Sequence, residues 1–450
     1  MSQSVLNKSL MRITWPIFID LSCVFLISAM DAWFLSWVSD THAASIGAIL
    51  PVVGLGGTLF MTLSQAGSSV IAQLLGAGEG GRVAKMVGAY FSFAAVIGLV
   101  VACLFILLSG LSAQLMGLRG DMYVISSDYL FCLGFGVQFL AMRYAVASVL
   151  AARGKTFWNM ISTIVMMISN IVFNTLFVTG AFGLPEMGVR GVAYGSCLAW
   201  LLSLVFSLVI LVWREKLIPD FKMQFSEFRE QLRPVLRIAL PSVLEPLSWH
   251  FTQLIIVAIV VGLGELALAT RIYTFNCLYF IVMFSVALST GVQLKVAHFI
   301  GAGLFEKAHK QLLQGLKIGC YSVMGMIALL YFNAEHVIGV FTDNVEIIDL
   351  GRKVIAIALF CETGRILNLV AGACLKASGD AKFISIVGFS IMWFFTLPLA
   401  WLLGVTFEYG LIGIWVAISS DEIVRGVISV LRWNSGQWKF KGLHAMRAQA

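Results

Sequence analysis

The sequence predicts an all-α integral membrane protein, with twelve transmembrane helices in two pseudo-symmetric six-helix lobes. Three observations predict it. Of 450 residues, 60% are hydrophobic and 12% charged, and the mean hydropathy is +0.93; soluble domains carry roughly 25% charged residues. Apolar runs at least as long as the ~20 residues a spanning helix needs recur along the chain. The two halves also repeat one another at a nearly constant offset. This composition excludes a water-soluble surface and a disordered chain. The apolar runs are continuous rather than alternating, which argues against a β-barrel.

Taken in order, the predicted spans are 13–38, 43–78, 86–118, 124–151, 156–185, 191–213, 234–262, 272–294, 318–340, 354–375, 383–407 and 409–431. The connecting loops orient them. One side carries Lys8, Arg12, Arg82, Lys85, Arg153, Lys155, the basic residues of 214–233, Lys307, Lys310, Lys376, Lys382, Lys439, Lys441 and Arg447. The other has Arg119, Arg190, Arg271, Arg352 and Lys353. The positive-inside rule then puts both termini in the cytoplasm of a multi-pass plasma (inner) membrane protein. On this reading the net charge of +7 reports orientation, and no nucleic-acid partner is expected. The expected organisation is an N-terminal lobe (1–213), a cytoplasmic linker (214–233), a C-terminal lobe (234–432) and a cytoplasmic tail (433–450). The opening MSQSVLNKSLMRITWP does not read as a cleavable signal. All eight cysteines lie in apolar stretches without C-x-x-C or metal-ligand spacing, so they read as packing residues and no metal or cofactor is expected.

At an offset of 225 residues, Pro16 and Asp20 match Pro241 and Glu245, and Leu63-Ser64 matches Leu288-Ser289. AQLLGAGEGGRVAK matches AHFIGAGLFEKAHK, and Leu150, Ala152 and Gly154 match Leu375, Ala377 and Gly379. Gly188-x-x-Gly191 matches Gly410-x-x-Gly413 at an offset of 222. Several matches in one order signal an internal repeat. Repeats with an even number of helices keep their orientation, so the lobes should relate by an axis along the membrane normal. In transporters built this way, substrate and ion sites lie near the midplane and the lobes rock to alternate access.

The segments AMDAWFLSWVSDTHAASIGA, AQLLGAG, VLAARGKTFWNMIS, NIVFNTLFVTGAFGLPEMGVRGVAYGS and LKASGDAKF, spread over essentially the whole chain, resemble the multidrug and toxic compound extrusion (MATE) family. The resemblance implies a twelve-helix, two-lobe exporter driven by inward H⁺ or Na⁺. It implies that Asp31 binds the coupling cation, with Asn170 and Asn174 from the fifth span and Ser196 from the sixth. Asn174 stands where many members have Asp, and Ser196 where they have Thr. A single carboxylate favours holding a proton over Na⁺, which prefers several hard oxygens.

An unpaired charge within a bilayer costs several kcal/mol and is a functional candidate by default. Asp31 has no basic residue within one helical turn; the competing reading is a buried carboxylate satisfied by hydroxyls. Because desolvation disfavours a charged carboxyl group, Asp31 is expected to take a proton from outside and release it to the cytoplasm. Asp20 and Glu245 each follow a proline by four residues and are expected in a substrate cavity, with His250, Trp249 and Trp33 beside them. Glu362 with Arg365, and Asp421 with Arg425, have the spacing of same-face ion pairs. They read as self-neutralised structural pairs or as a C-lobe proton relay. Arg143 and Lys295 read as snorkelling side chains near helix ends, and Asp128 and Arg271 as solvated. Without a phosphate-binding G-x-x-x-x-G-K-[ST] run, the expected activity is secondary antiport of amphipathic, cationic organic molecules by a monomer, not an enzyme. The alternative is a flippase for lipid-linked precursors or a dedicated metabolite, which predicts a cavity rich in Arg and Lys.

Overall fold

A computed structural model describes residues 3–441, with side chains from residue 5 onward; Arg447 and the rest of the expected tail beyond 441 lie outside the described residues. The long helices, in order, are α1 (Leu10–Val38), α2 (Asp40–Gly76), α3 (Gly80–Leu107), α4 (Gly120–Gly134), α5 (Val137–Ala152), α6 (Thr156–Thr179) and α7 (Gly188–Arg214). They continue with α8 (Phe225–Gly262), α9 (Glu265–Gly301), α10 (Phe305–Phe332), α11 (Val345–Ala377), α12 (Ala381–Thr406) and α13 (Gly410–Asn434). No strand occurs among the described residues.

Ten of these helices are long and apolar enough to cross a membrane, and α4 with α5, bent by 50°, makes an eleventh. The bend falls at Phe135-Gly136, where a side chain on Gly136 would collide with Cys197 of α7. The 25 residues of α13 also reach across a bilayer, but they carry Asp421, Glu422, Arg425 and Arg432. With α13 counted, the helices are consistent with the twelve predicted spans. The repeat is visible in the helix ends. Gly76 and Gly301, Leu107 and Phe332, and Ala152 and Ala377 each close a helix at the 225-residue offset. The short helices Ser109–Leu115 and Ala334–Gly339 begin at the same offset.

Two compact units result. One is Trp15–Val235; the other runs from Leu236 and includes the segment up to Thr14. In the first, Phe34, Leu35, Ile49, Leu130, Leu133 and Val192 form a buried apolar cluster. The segment after α7 lies along its own unit. Glu215, nearly fully buried, pairs with Arg153 and Lys155 (3.3 and 2.7 Å), and the Asp220 amide donates to the Ala84 carbonyl (3.0 Å). In the second unit, α9 and α11 are the most enclosed spans. Lipid is as apolar as leucine, so close backbone approach rather than hydrophobicity holds such helices. Here α11 meets α13 where a Cβ on Gly426 would lie 2.9 Å from the Gly364 carbonyl oxygen. That crossing sets the ionisable residues of the two helices side by side.

Candidate functional site

In the N-terminal unit, Asn170 and Asn174 lie one turn apart on α6, both at most 1% exposed, and face α1. Asn174 Nδ2 donates to Asp31 Oδ1 (2.6 Å), as does Asn170 Nδ2 (3.1 Å). From α7, the Ser196 hydroxyl donates to Asp31 Oδ2 (3.3 Å) and accepts from Asn170 Nδ2 (3.1 Å). All four residues expected at the cation site therefore meet. No basic side chain pairs with Asp31 among the described residues. Its carboxylate is solvated by neutral donors alone, and each amide turns its N–H side toward it. Asn174 Oδ1 is buried without a partner.

Asp31 is half-buried because it borders a cavity of about 250 Å³ inside this unit. Ser196, Tyr129, Tyr144, Trp200 and Arg143 also line it. Arg143, expected to snorkel, is instead 3% exposed. Its Nε donates to the Ser203 hydroxyl (2.9 Å), and its Nη2 donates to Thr163 and lies 3.6 Å from Asp20 Oδ1. The Thr163 hydroxyl donates in turn to Asp20. Sequence position placed Arg143 near a helix end, but its partners on α1, α6 and α7 hold it inside. Asp20 sits behind Arg143 and does not line the cavity. Trp33 is half exposed, its ring edge against Trp37 (4.4 Å between centroids), and is also outside that cavity.

In the C-terminal unit the two expected intrahelical pairs, Glu362–Arg365 and Asp421–Arg425, both form. They are not self-contained. Glu422, which the sequence reading missed, joins them: it accepts from Arg365 Nε (3.0 Å) and Asn368 Nδ2 (2.8 Å), and lies 3.3 Å from Arg425. Its spacing to Arg425, the same as that of Glu362 to Arg365, was the available signal. Glu245 of α8 pairs with Lys376 (2.6 Å) and Arg425 (3.4 Å), and Thr396 donates to Asp421 (2.7 Å). Four carboxylates (Glu245, Glu362, Asp421, Glu422) thus face three cations (Arg365, Lys376, Arg425). Glu362 Oε2 is buried without a hydrogen-bond partner. A pocket of about 30 Å³, room for one water, lies between Trp249, Arg365, Asp421 and Glu422. His250 does not line it and meets the Trp249 ring edge-on at 5.2 Å. Lys295, also expected to snorkel, is 6% exposed and donates to the Lys8 carbonyl (2.9 Å). Asp128 is bound by Arg190 (2.7 Å), and Arg271 donates to Gln253 (2.8 Å).

A polytopic helical protein with hydrogen-bonded carboxylates within each half has the features of a membrane transporter. The MatE family profile matches residues 16–176 and 241–402, well over half of the chain, and the chain belongs to that family of transporters. It is 32% identical over 442 residues to the "Uncharacterized transporter YisQ" of Bacillus subtilis, covering 97% of this chain and 96% of that one. It is 22% identical over 440 residues to the "Probable multidrug resistance protein NorM" of Thermotoga maritima, covering 96% and 93%. Its fold matches the "Crystal structure of MATE in the bent conformation" at a TM-score of 0.89, with 19% identity and coverage of 97% and 98%.

Proposed function

We propose that the chain exports amphipathic organic molecules bearing a positive charge, in exchange for protons entering the cell across the plasma membrane. The observation that carries this reading is the Asp31 carboxylate, set at a cavity wall with three neutral donors and, among the described residues, no cationic partner. A lone charge in that position is costly inside a bilayer. A proton or a cationic cargo neutralises it, and the two compete for the same oxygens. If the unit rearranges readily only when the charge is neutralised, one species leaves as the other enters. That is antiport, with no cofactor beyond the coupling ion.

The donor set supports H⁺ over Na⁺. Asp31 Oδ1 already takes two amide N–H groups, so a proton goes to Oδ2, and Ser196 turns from donor to acceptor. A sodium ion would need both amides turned to present oxygen. The C-terminal network serves as a second relay in this reading, through Glu362, Arg365, Asp421, Arg425 and the added Glu422. Relatives named for multidrug resistance favour drug-like cargo. We take the protein as a monomer with both termini cytoplasmic.

Ethidium efflux from proteoliposomes tests the reading. An imposed pH gradient drives it, and a Na⁺ gradient alone does not; efflux that needs Na⁺ and ignores pH overturns the proton assignment. A second prediction concerns Gly195, where a Cβ would strike Asn174 Oδ1. Gly195→Ala displaces the Asn174 amide from Asp31. Coupled efflux falls by about tenfold or more, as loss of a charge-assisted hydrogen bond worth roughly 1.5–3 kcal/mol implies, while the amount of folded protein in the membrane holds.

A further inference from the structure

The cavity beside Asp31 has a second charged wall residue that proton coupling does not use. Arg143 is 3% exposed, yet it lines the cavity. Its Nε and Nη2 are engaged by Ser203, Thr163 and Asp20. No hydrogen bond reaches its Nη1 among the described residues, although that nitrogen carries two donor hydrogens. Asp20 balances the guanidinium charge from behind, and Ser203 and Thr163 fix its plane. Arg143 is thus a fixed guanidinium with one nitrogen left over, on a residue that lines the same cavity as the Asp31 carboxylate.

We propose that Arg143 Nη1 binds an anionic group of the cargo, so that the preferred substrate is a zwitterion, with its cationic centre toward Asp31 and its carboxylate or comparable acceptor on Arg143. This rests on the cation-export reading and narrows it. An N–H of a guanidinium bonds an anionic carboxylate oxygen roughly twice as strongly as a neutral acceptor such as an ester carbonyl. Tyr129, Tyr144 and Trp200 line the same cavity and suit an aromatic spacer. At about 250 Å³, the cavity is smaller than the roughly 300–1,000 Å³ usual for drug-sized ligands and takes a compact ring system.

The test compares 4-(aminomethyl)benzoic acid with its methyl ester. Each carries the same ammonium group, and only the acid carries an anion. Isothermal titration calorimetry on the purified full-length protein is run at neutral pH in chloride-free buffer, so that no halide competes for Nη1. The acid should bind at least about tenfold more tightly than the ester, the scale of one charge-assisted hydrogen bond. In Arg143→Lys, which keeps the positive charge beside Asp20, the acid's affinity should drop to the ester's while the ester's is unchanged. An ester that binds as tightly as the acid to the unaltered protein overturns the inference, as does a preference for the acid that survives Arg143→Lys. Because the first comparison uses the unaltered protein, misfolding of the variant cannot hide the answer. If ethidium is still exported under a pH gradient, cation export stands whatever the acid does; if ethidium is not exported and neither compound binds, both readings fall.

Discussion

Asp31→Asn removes pH-driven export, with a loss of more than about 90% in initial efflux rate, the size expected where a buried charge is the functional element. The substitution is close to a pure charge deletion. Asparagine is isosteric, and its oxygen in the Oδ1 position still accepts from Asn170 and Asn174. Its amide nitrogen then takes the Oδ2 position and donates to Ser196, whose hydroxyl accepts as readily as it donates. The hydrogen-bond count survives, so stability should change by less than about 1 kcal/mol. Thermal melting of the detergent-solubilised variant alongside proteoliposome efflux separates the two effects. Full export by this variant would remove Asp31 from the mechanism; an unfolded variant would contradict the hydrogen-bond argument.

The second large effect is on stability. Arg425→Met is expected to destabilise the protein by about 3–5 kcal/mol, the cost of stripping one partner from a buried ion pair. Arg425 is 4% exposed and touches Asp421, Glu422 and Glu245 at once. Its loss does not harm the three equally. Glu422 keeps Arg365 and Asn368, and Glu245 keeps Lys376, but among the described residues Asp421 retains only the Thr396 hydroxyl. Adding Asp421→Asn should therefore recover much of the loss in a melting experiment. Glu422→Gln should recover less. Equal rescue by both would mean that the network shares its charge more evenly than the contacts imply.

The span pattern was legible because a bilayer imposes length and apolarity on every crossing segment, and α13 was found by sequence despite its three central charges. The Asp31 cluster was legible through the N-x-x-x-N face of one helix and the family likeness. Arg143 was misjudged because distance along a helix says little about depth once neighbouring helices close over a residue. Glu422 was missed because Arg425 was already paired with Asp421, one residue earlier, although Glu422 has i,i+3 spacing to the same arginine. Its main partners, Arg365 and Asn368, lie on α11 and come within reach only through the glycine crossing.

The helix ends coincide at one offset through most of the chain, yet of the buried ionisable groups only Asp20 and Glu245 correspond: one half holds Asp31 without a cation and the Asp20–Arg143 pair, the other a crowded ionic web. A duplicated scaffold has thus kept its architecture while its chemistry diverged. Each half was free to acquire or lose ion-handling groups without rebuilding a single turn, and that freedom lets one frame accommodate different driving ions and different cargo.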